Sequence, residues 1–194
     1  MKQIWYVAYG SNLCRDRFRC YLRGGQPEGS ERHYSGCRDA SEPTDSFGLT
    51  IRGCVYFAGH SSVWRAGMAF YDPCAEGEVA ARAYLITAEQ FVDILAQETR
   101  RPPGMTADLM PIFRGDHYGE GVGGYPILVR VGERRGVPLV TFTRDRHTVP
   151  RLAAPSASYL ATMARGLREV HGWSQSEINH YLSALPGVDS GTLG

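Results

Sequence analysis

Nowhere in the sequence does an apolar run reach the length that a membrane-spanning helix needs, so no membrane partner is expected. The six histidines form no HExxH or comparable ligand spacing, which excludes a recognisable structural zinc site. Cysteine is sparse and odd in number. Cys14, Cys20, Cys37, Cys54 and Cys74 include no CxxC pair, which argues for reduced thiols acting as small apolar fillers. An excess of one sign of charge is also lacking: the formal net charge is +1, so neither nucleic acid nor an anionic lipid surface is expected as the main partner. Met1-Lys2-Gln3 leads straight into a strand-like run rather than a signal peptide, and a cytoplasmic setting is expected. What is present is an ordinary globular composition, 43% hydrophobic and 21% charged over 194 residues. That is enough for one domain with a real core, expected over 1–186, with a frayed tail at 187–194.

The elements alternate along the chain without an internal repeat. Ile4-Trp5-Tyr6-Val7 suits a buried strand. A short helix is expected over Cys14–Leu22, ending at Gly24-Gly25, followed by a long polar surface loop at 26–46. Strand-like segments follow at Phe47–Phe57, Gly67–Tyr71 and Val79–Ile86, then a helix from Ala88 to Thr99. A second irregular stretch runs from Arg100 to Gly124. Strands at Tyr125–Val131 and Pro138–Thr143 flank a turn at 133–136. Helices at Ala157–His171, stopped by Gly172, and at Gln175–Leu182, opened by the Ser174/Glu177 capping box, complete the chain. Strands dominate the middle and helices surround it, which is an α+β pattern rather than a doubly wound sheet.

Three pieces carry candidate chemistry. The first strand ends in Tyr9-Gly10-Ser11-Asn12-Leu13, where Gly10 permits close approach to the main chain and Ser11 and Asn12 suit a helix N-cap. Unpaired N–H groups at such a turn can hold an anion or a developing oxyanion, although a strand that simply turns would look the same. In the middle helix, Thr87 and Gln90 form a capping box, Phe91, Ile94 and Leu95 make the apolar face, and the next position on that face is Glu98. A carboxylate facing a core is costly unless it is paired, with Arg100 or Arg101 for example, or lines a cavity; in a cavity it is suited to accept and return a proton. Glu89 and Asp93 sit off that face and are expected to be solvated. The third piece is Pro155-Ser156-Ala157-Ser158-Tyr159, in which a serine caps the last long helix and Tyr159 falls in its first turn, packed or reaching a pocket.

Together, Tyr9-Gly10-Ser11-Asn12-Leu13 after an N-terminal strand, the Gln97-Glu98 pair at a helix end, and Pro155-Ser156 with Tyr159 before a helix resemble the γ-glutamylcyclotransferase-like family. The resemblance spans most of the chain but not the loops at 26–46 and 100–124. It implies a small, mixed β-barrel-like core with peripheral helices, a cavity between the N-terminal turn and the glutamate, no cofactor or metal, and a monomer or homodimer. The implied activity is cyclisation of a γ-glutamyl amide to 5-oxoproline with release of the free amine, as in glutathione turnover or the removal of a γ-glutamyl protecting group. Glu98 would be the catalytic acid–base, and Tyr9, Gly10, Ser11, Asn12, Leu13 and Tyr159 would bind the substrate. Other chemistry in the same cavity, hydrolysis or decarboxylation of a small amide acid, stays open, as does a non-catalytic binding module.

Other features point away from function. Gly119–Gly124 lacks the GxGxxG spacing and the Lys-Ser/Thr of a phosphate loop and suits a lid or loop tip. Cys14 has no nucleophile motif with His33 or His117. Arg15, Arg17, Arg19 and Arg23 read as one solvated basic helix face that could attract an anionic substrate.

Overall fold

A computed structural model describes residues 2–28, 32–61, 63–121, 127–144, 148 and 151–189. Strand β1 (Gln3–Ala8) runs into a single 3-10 turn over Ser11–Leu13 and then helix α1 (Arg15–Arg23). Strands β2 (Asp45–Arg52), β3 (Cys54–Ser61), β4 (Ala66–Asp72) and β5 (Glu78–Thr87) follow, then helix α2 (Ala88–Glu98). Helix α3 (Met110–Arg114), strands β6 (Tyr118–Glu120), β7 (Ile127–Arg134) and β8 (Val137–Thr143), and helices α4 (Ala157–His171) and α5 (Gln175–Ser183) complete the described chain. The result is an α+β fold with a curled six-stranded sheet, order β2-β5-β1-β8-β7-β6, and a separate β3-β4 hairpin. The β1–β8 pair is parallel and the remaining neighbours are antiparallel.

Strand β1 lies mid-sheet and is apolar on both faces, which is why it reads as a continuous run rather than an alternation. Ile4, Tyr6 and Ala8 pack with Phe18, Leu22, Phe91, Ile94 and Leu95 on the side of α1 and α2. Trp5, Val7 and Tyr9 pack with Leu160, Met163, Leu167 and Ile178 on the side of α4 and α5. The single strand expected over Phe47–Phe57 is instead two strands in different sheets. It breaks at Gly53, whose φ of +125° and whose approach to the Asp72 carbonyl, 2.5 Å from where a Cβ would lie, both require glycine. The hairpin is tied back to the main sheet by Thr143, whose hydroxyl accepts from Tyr71 N–H (3.1 Å) and donates to the Tyr71 carbonyl (2.7 Å).

The two polar loops are built structures. On α2, Gln90, Asp93 and Gln97 form a second stripe opposite the apolar one, and each binds loop backbone. Gln90 Nε2 donates to the Asp39 and Ser41 carbonyls, and Gln97 Oε1 accepts from Gly36 N–H (3.1 Å). Asp93, expected in solvent, is 1% exposed: it accepts from the Arg38 and Gly104 N–H groups (2.9 and 2.8 Å) and pairs with the Arg38 guanidinium. The polar loops cover the face that amphipathic spacing assigns to water, while Glu89 does remain exposed. Helix α3 and strand β6 occupy part of the stretch read as irregular, because Pro111 sits in the first turn of a helix only five residues long. Of the expected glycine-rich tip, Gly119 and Glu120 belong to β6, and 122–124 lie outside the described residues. At the C-terminus the Pro186 carbonyl accepts from Phe57 N–H (2.8 Å), and Val188, in the stretch expected to fray, packs on the core. Residues 190–194 lie outside the described set. The five cysteines are free, and Cys14 is fully buried against the Arg165 guanidinium.

Candidate functional site

A cavity of about 540 Å³ opens between the end of β1, the end of α2, strand β4 and the start of α4. That volume is in the range of sites that enclose a small-molecule ligand. Its wall includes Tyr9, Gly10, Ser11, Asn12, Glu98 and Tyr159, so six of the seven expected site residues meet at one place. Leu13 does not. Its side chain is fully buried in the core and its N–H donates to the Gly10 carbonyl (3.0 Å), closing the 3-10 turn.

The turn is fixed from several sides. Tyr84 on β5 donates to the Asn12 carbonyl (2.9 Å), Arg82 donates to the Leu13 carbonyl (3.1 Å), and Asn12 Nδ2 donates to the Tyr6 hydroxyl (3.0 Å). Arg82 is itself held by Glu169 of α4 at 3.0 Å. Helix α4 presses against the turn through Gly166, where a Cβ would lie 2.3 Å from the Leu13 carbonyl carbon. With the carbonyls tied down, the Ser11 N–H makes a long bond of 3.4 Å to the Tyr159 hydroxyl. The Gly10 and Asn12 N–H groups have no acceptor among the described residues. Gly10 is needed for space: a Cβ there would sit 2.8 Å from the Tyr159 hydroxyl oxygen. Tyr159 itself both packs and reaches the pocket, its ring edge-on to Phe57 and Trp64 and its hydroxyl at the turn.

Opposite the turn, Glu98 is half-buried at the last position of α2 and accepts from the Tyr21 hydroxyl at 2.5 Å. Behind Tyr21 lies Arg17, 4% exposed, whose Nη2 donates to the Tyr34 and Tyr21 hydroxyls (2.7 and 3.3 Å) while its guanidinium stacks on both rings. Arg17 therefore departs from the solvated basic face. Arg15, Arg19 and Arg23 do form such a face and converge on Glu42, at 3.4, 3.1 and 3.1 Å. Spacing alone separates the two sets: 15, 19 and 23 recur at i+4, whereas 17 and 21 share the other side of α1 with Phe18 and Leu22. Tyr34, on a loop without periodicity, carries no such signal.

Burial pushes the Tyr6, Tyr9, Tyr21 and Tyr159 phenols above their ordinary range, and in Tyr6 and Tyr21 the neighbouring Glu98 charge adds to the effect. These hydroxyls stay protonated at neutral pH and serve as hydrogen-bonding groups, not bases. Among the described wall residues Glu98 is the only carboxylate and His60, at the exposed rim, the only imidazole. No cluster of three or more His, Cys, Asp or Glu that could hold a metal occurs among the described residues.

No family model matches the chain. Three solved structures superpose on nearly all of it at 16% identity. An uncharacterised human protein matches with a TM-score of 0.57, covering 99% of this chain and 96% of that one. A γ-glutamyl cyclotransferase matches at 0.52, covering 100% and 94%. YkqA from Bacillus subtilis matches at 0.53, covering 96% of this chain and 56% of its own. In sequence, histone deacetylase 5 of Arabidopsis thaliana is 31% identical over 202 residues, 92% of this chain, and the chain spans 30% of that protein's length. These superpositions show that the chain has the γ-glutamylcyclotransferase-like fold.

Proposed function

We propose that the protein cyclises a γ-glutamyl amide to 5-oxoproline and releases the free amine. A half-buried carboxylate and two residues whose backbone amides have no acceptor among the described residues line one cavity, and this juxtaposition carries the proposal. The substrate supplies its own nucleophile. Its α-amine, once deprotonated, attacks the side-chain amide carbonyl; the new N–C bond closes a five-membered ring and places negative charge on the carbonyl oxygen. The C–N bond to the leaving amine then breaks as that nitrogen takes up a proton; the ring nitrogen, left with two hydrogens by the attack, gives one up, so the amine leaves as its ammonium. No water, metal or covalent enzyme intermediate enters the balance. Folding the substrate into its bent form supplies a large part of the acceleration, because attack is intramolecular.

Glu98 has two tasks in sequence: it accepts the α-ammonium proton and delivers a proton to the departing nitrogen. The Tyr21 hydroxyl, held by Arg17, fixes one carboxylate oxygen and leaves the other for the substrate. The Gly10 and Asn12 amides, with Ser11 and Tyr159 beside them, hold the substrate α-carboxylate or the developing oxyanion. The test is turnover of γ-glutamyl amides by wild type and Glu98→Gln. The amide oxygen of the substituted side chain can still accept from Tyr21, so fold and substrate affinity are expected to persist while kcat falls by about 10²–10⁴-fold. Near-normal rates in Glu98→Gln would remove Glu98 from the chemistry.

A further inference from the structure

Tyr6 lies in the apolar run of β1, and its side chain belongs to the wall of the cavity. The tyrosines of that wall divide by what they do with their protons. Tyr9 donates to the Phe142 carbonyl (2.9 Å) and Tyr21 donates to Glu98. Tyr6, Tyr34 and Tyr159 instead accept, from Asn12 Nδ2 (3.0 Å), Arg17 Nη2 (2.7 Å) and Ser11 N–H (3.4 Å). Their own protons have no acceptor among the described residues. Reversing the Asn12 side-chain amide would spend the Tyr6 proton but strand both Nδ2 hydrogens where Oδ1 is buried without a partner, the costlier arrangement. Of the three, Tyr34 is separated from Glu98 by Arg17 and Tyr21, and Tyr159 stands at the Gly10 end of the turn. Tyr6 is bonded to the turn, and after burial the Glu98 charge is the largest influence raising its phenol above the ordinary range. Its ring lies parallel to Phe142, with centroids 5.5 Å apart and planes at 5°, and Phe18 and Phe91 flank it at 5.5 and 6.0 Å. The donor is thus fixed in place before any substrate arrives.

We infer that Tyr6 is a further catalytic residue, donating a hydrogen bond to the carbonyl oxygen of the γ-glutamyl amide as that oxygen becomes an oxyanion. The inference rests on the cyclotransferase reading. In that reaction the attacked carbon bears the entering nitrogen, the leaving nitrogen and the oxygen. A carboxylate that serves both nitrogens has the oxygen beside it, so the oxygen's donor must lie near Glu98 without being spent on it. Tyr21 is spent in this way and Tyr6 is not. When the oxygen becomes anionic, Glu98 has already taken the α-ammonium proton and is neutral, so no like charge opposes it. The phenol keeps its proton throughout, and the oxyanion returns to a carbonyl as the amine leaves. The Gly10 and Asn12 amides are then left for the substrate α-carboxylate, which is charged from the start.

The test is turnover of γ-glutamyl ethylamide and of the corresponding thioamide by wild type and Tyr6→Phe. Phenylalanine keeps the ring and its stacking, and urea denaturation checks that the fold is kept. With the amide, kcat is expected to fall about 10²–10³-fold in Tyr6→Phe while KM stays within about threefold of wild type. Sulfur accepts hydrogen bonds weakly, so with the thioamide the same substitution should cost about tenfold less, or lower still. An amide kcat within about threefold of wild type overturns the inference and leaves the cyclotransferase reading intact. Equal losses on amide and thioamide give Tyr6 a purely structural role and overturn it too. A second measurement, titration of 5-oxoproline into both proteins, needs no turnover. Its ring carbonyl should make binding about 2–10-fold weaker in Tyr6→Phe. Such weakening, without turnover of any amide by wild type, keeps Tyr6 as a carbonyl donor and sinks the cyclotransferase reading. Equal affinity or no binding, again without turnover, overturns both.

Discussion

Substituting Gly10 by alanine adds one methyl group at the point where the N-terminal turn meets Tyr159. The added carbon would sit 2.8 Å from the phenolic oxygen, where ordinary contact begins near 3.4 Å. Tyr159 has little room to retreat, because its ring is wedged edge-on against Phe57 and Trp64 with centroids 5.5 and 4.9 Å away. Gly10 has a φ of −113°, open to any residue, so the cost is one of space. Overpacking of this kind costs about 1–3 kcal/mol. Tyr159→Phe removes the oxygen and leaves the Ala69 methyl at 3.4 Å and the ring carbon at 3.9 Å, both tolerable. On its own it forfeits one long hydrogen bond to Ser11 N–H, worth about 0.5–1.5 kcal/mol. Gly10→Ala/Tyr159→Phe should therefore be about as stable as Tyr159→Phe, with a favourable coupling of about 1 kcal/mol or more in a double-mutant cycle. Urea denaturation of the four proteins, compared at constant m, measures it. Single costs that simply add, within about 0.5 kcal/mol, would refute the claim that Gly10 exists to admit the Tyr159 hydroxyl.

Other consequences follow from the same contacts. Gly166→Ala places a carbon 2.3–2.5 Å from Leu13 and Cys14 atoms, two of them backbone, so destabilisation near the top of the overpacking range, about 3 kcal/mol, is expected; an unchanged Tm would show that α4 does not brace the turn. His171 is half-buried and its burial lowers its pKa below 6.5. The unfolded chain then binds that proton more readily, so the contribution is complete above about pH 6.5 and declines as pH falls through 6.5 toward the folded pKa. His171→Gln should flatten that acid limb of the stability profile; an identical limb in the variant would contradict the assignment.

The first strand and its turn were legible because a strand apolar on both faces ended in Gly-Ser-Asn, and Glu98 because a capping box fixed the phase of α2. The cap of α4 is in place as well, with Ser156 accepting from Tyr159 N–H at 3.2 Å. What escaped depended on contacts remote in sequence. Asp93 looks solvated on a helical wheel until Arg38 and Gly104 arrive from two polar loops. Spacing sets Arg17 on the buried side of α1, but its partner Tyr34 comes from a loop that no periodicity marks. The β4 wall of the cavity, Met68, Ala69 and Phe70, has the pattern of any strand, and the break at Gly53 was hidden by apolar residues on either side. The registers are tertiary facts. Local propensity cannot encode them.

The central claim is that the substrate's own amine closes the ring and water does not take part. Incubating the protein with a γ-glutamyl amide in ¹⁸O-water and analysing the products by mass spectrometry tests it most directly. The account predicts unlabelled 5-oxoproline, equimolar free amine and no labelled glutamate. Glutamate carrying ¹⁸O in its side-chain carboxyl, with no 5-oxoproline, would identify hydrolysis and contradict it.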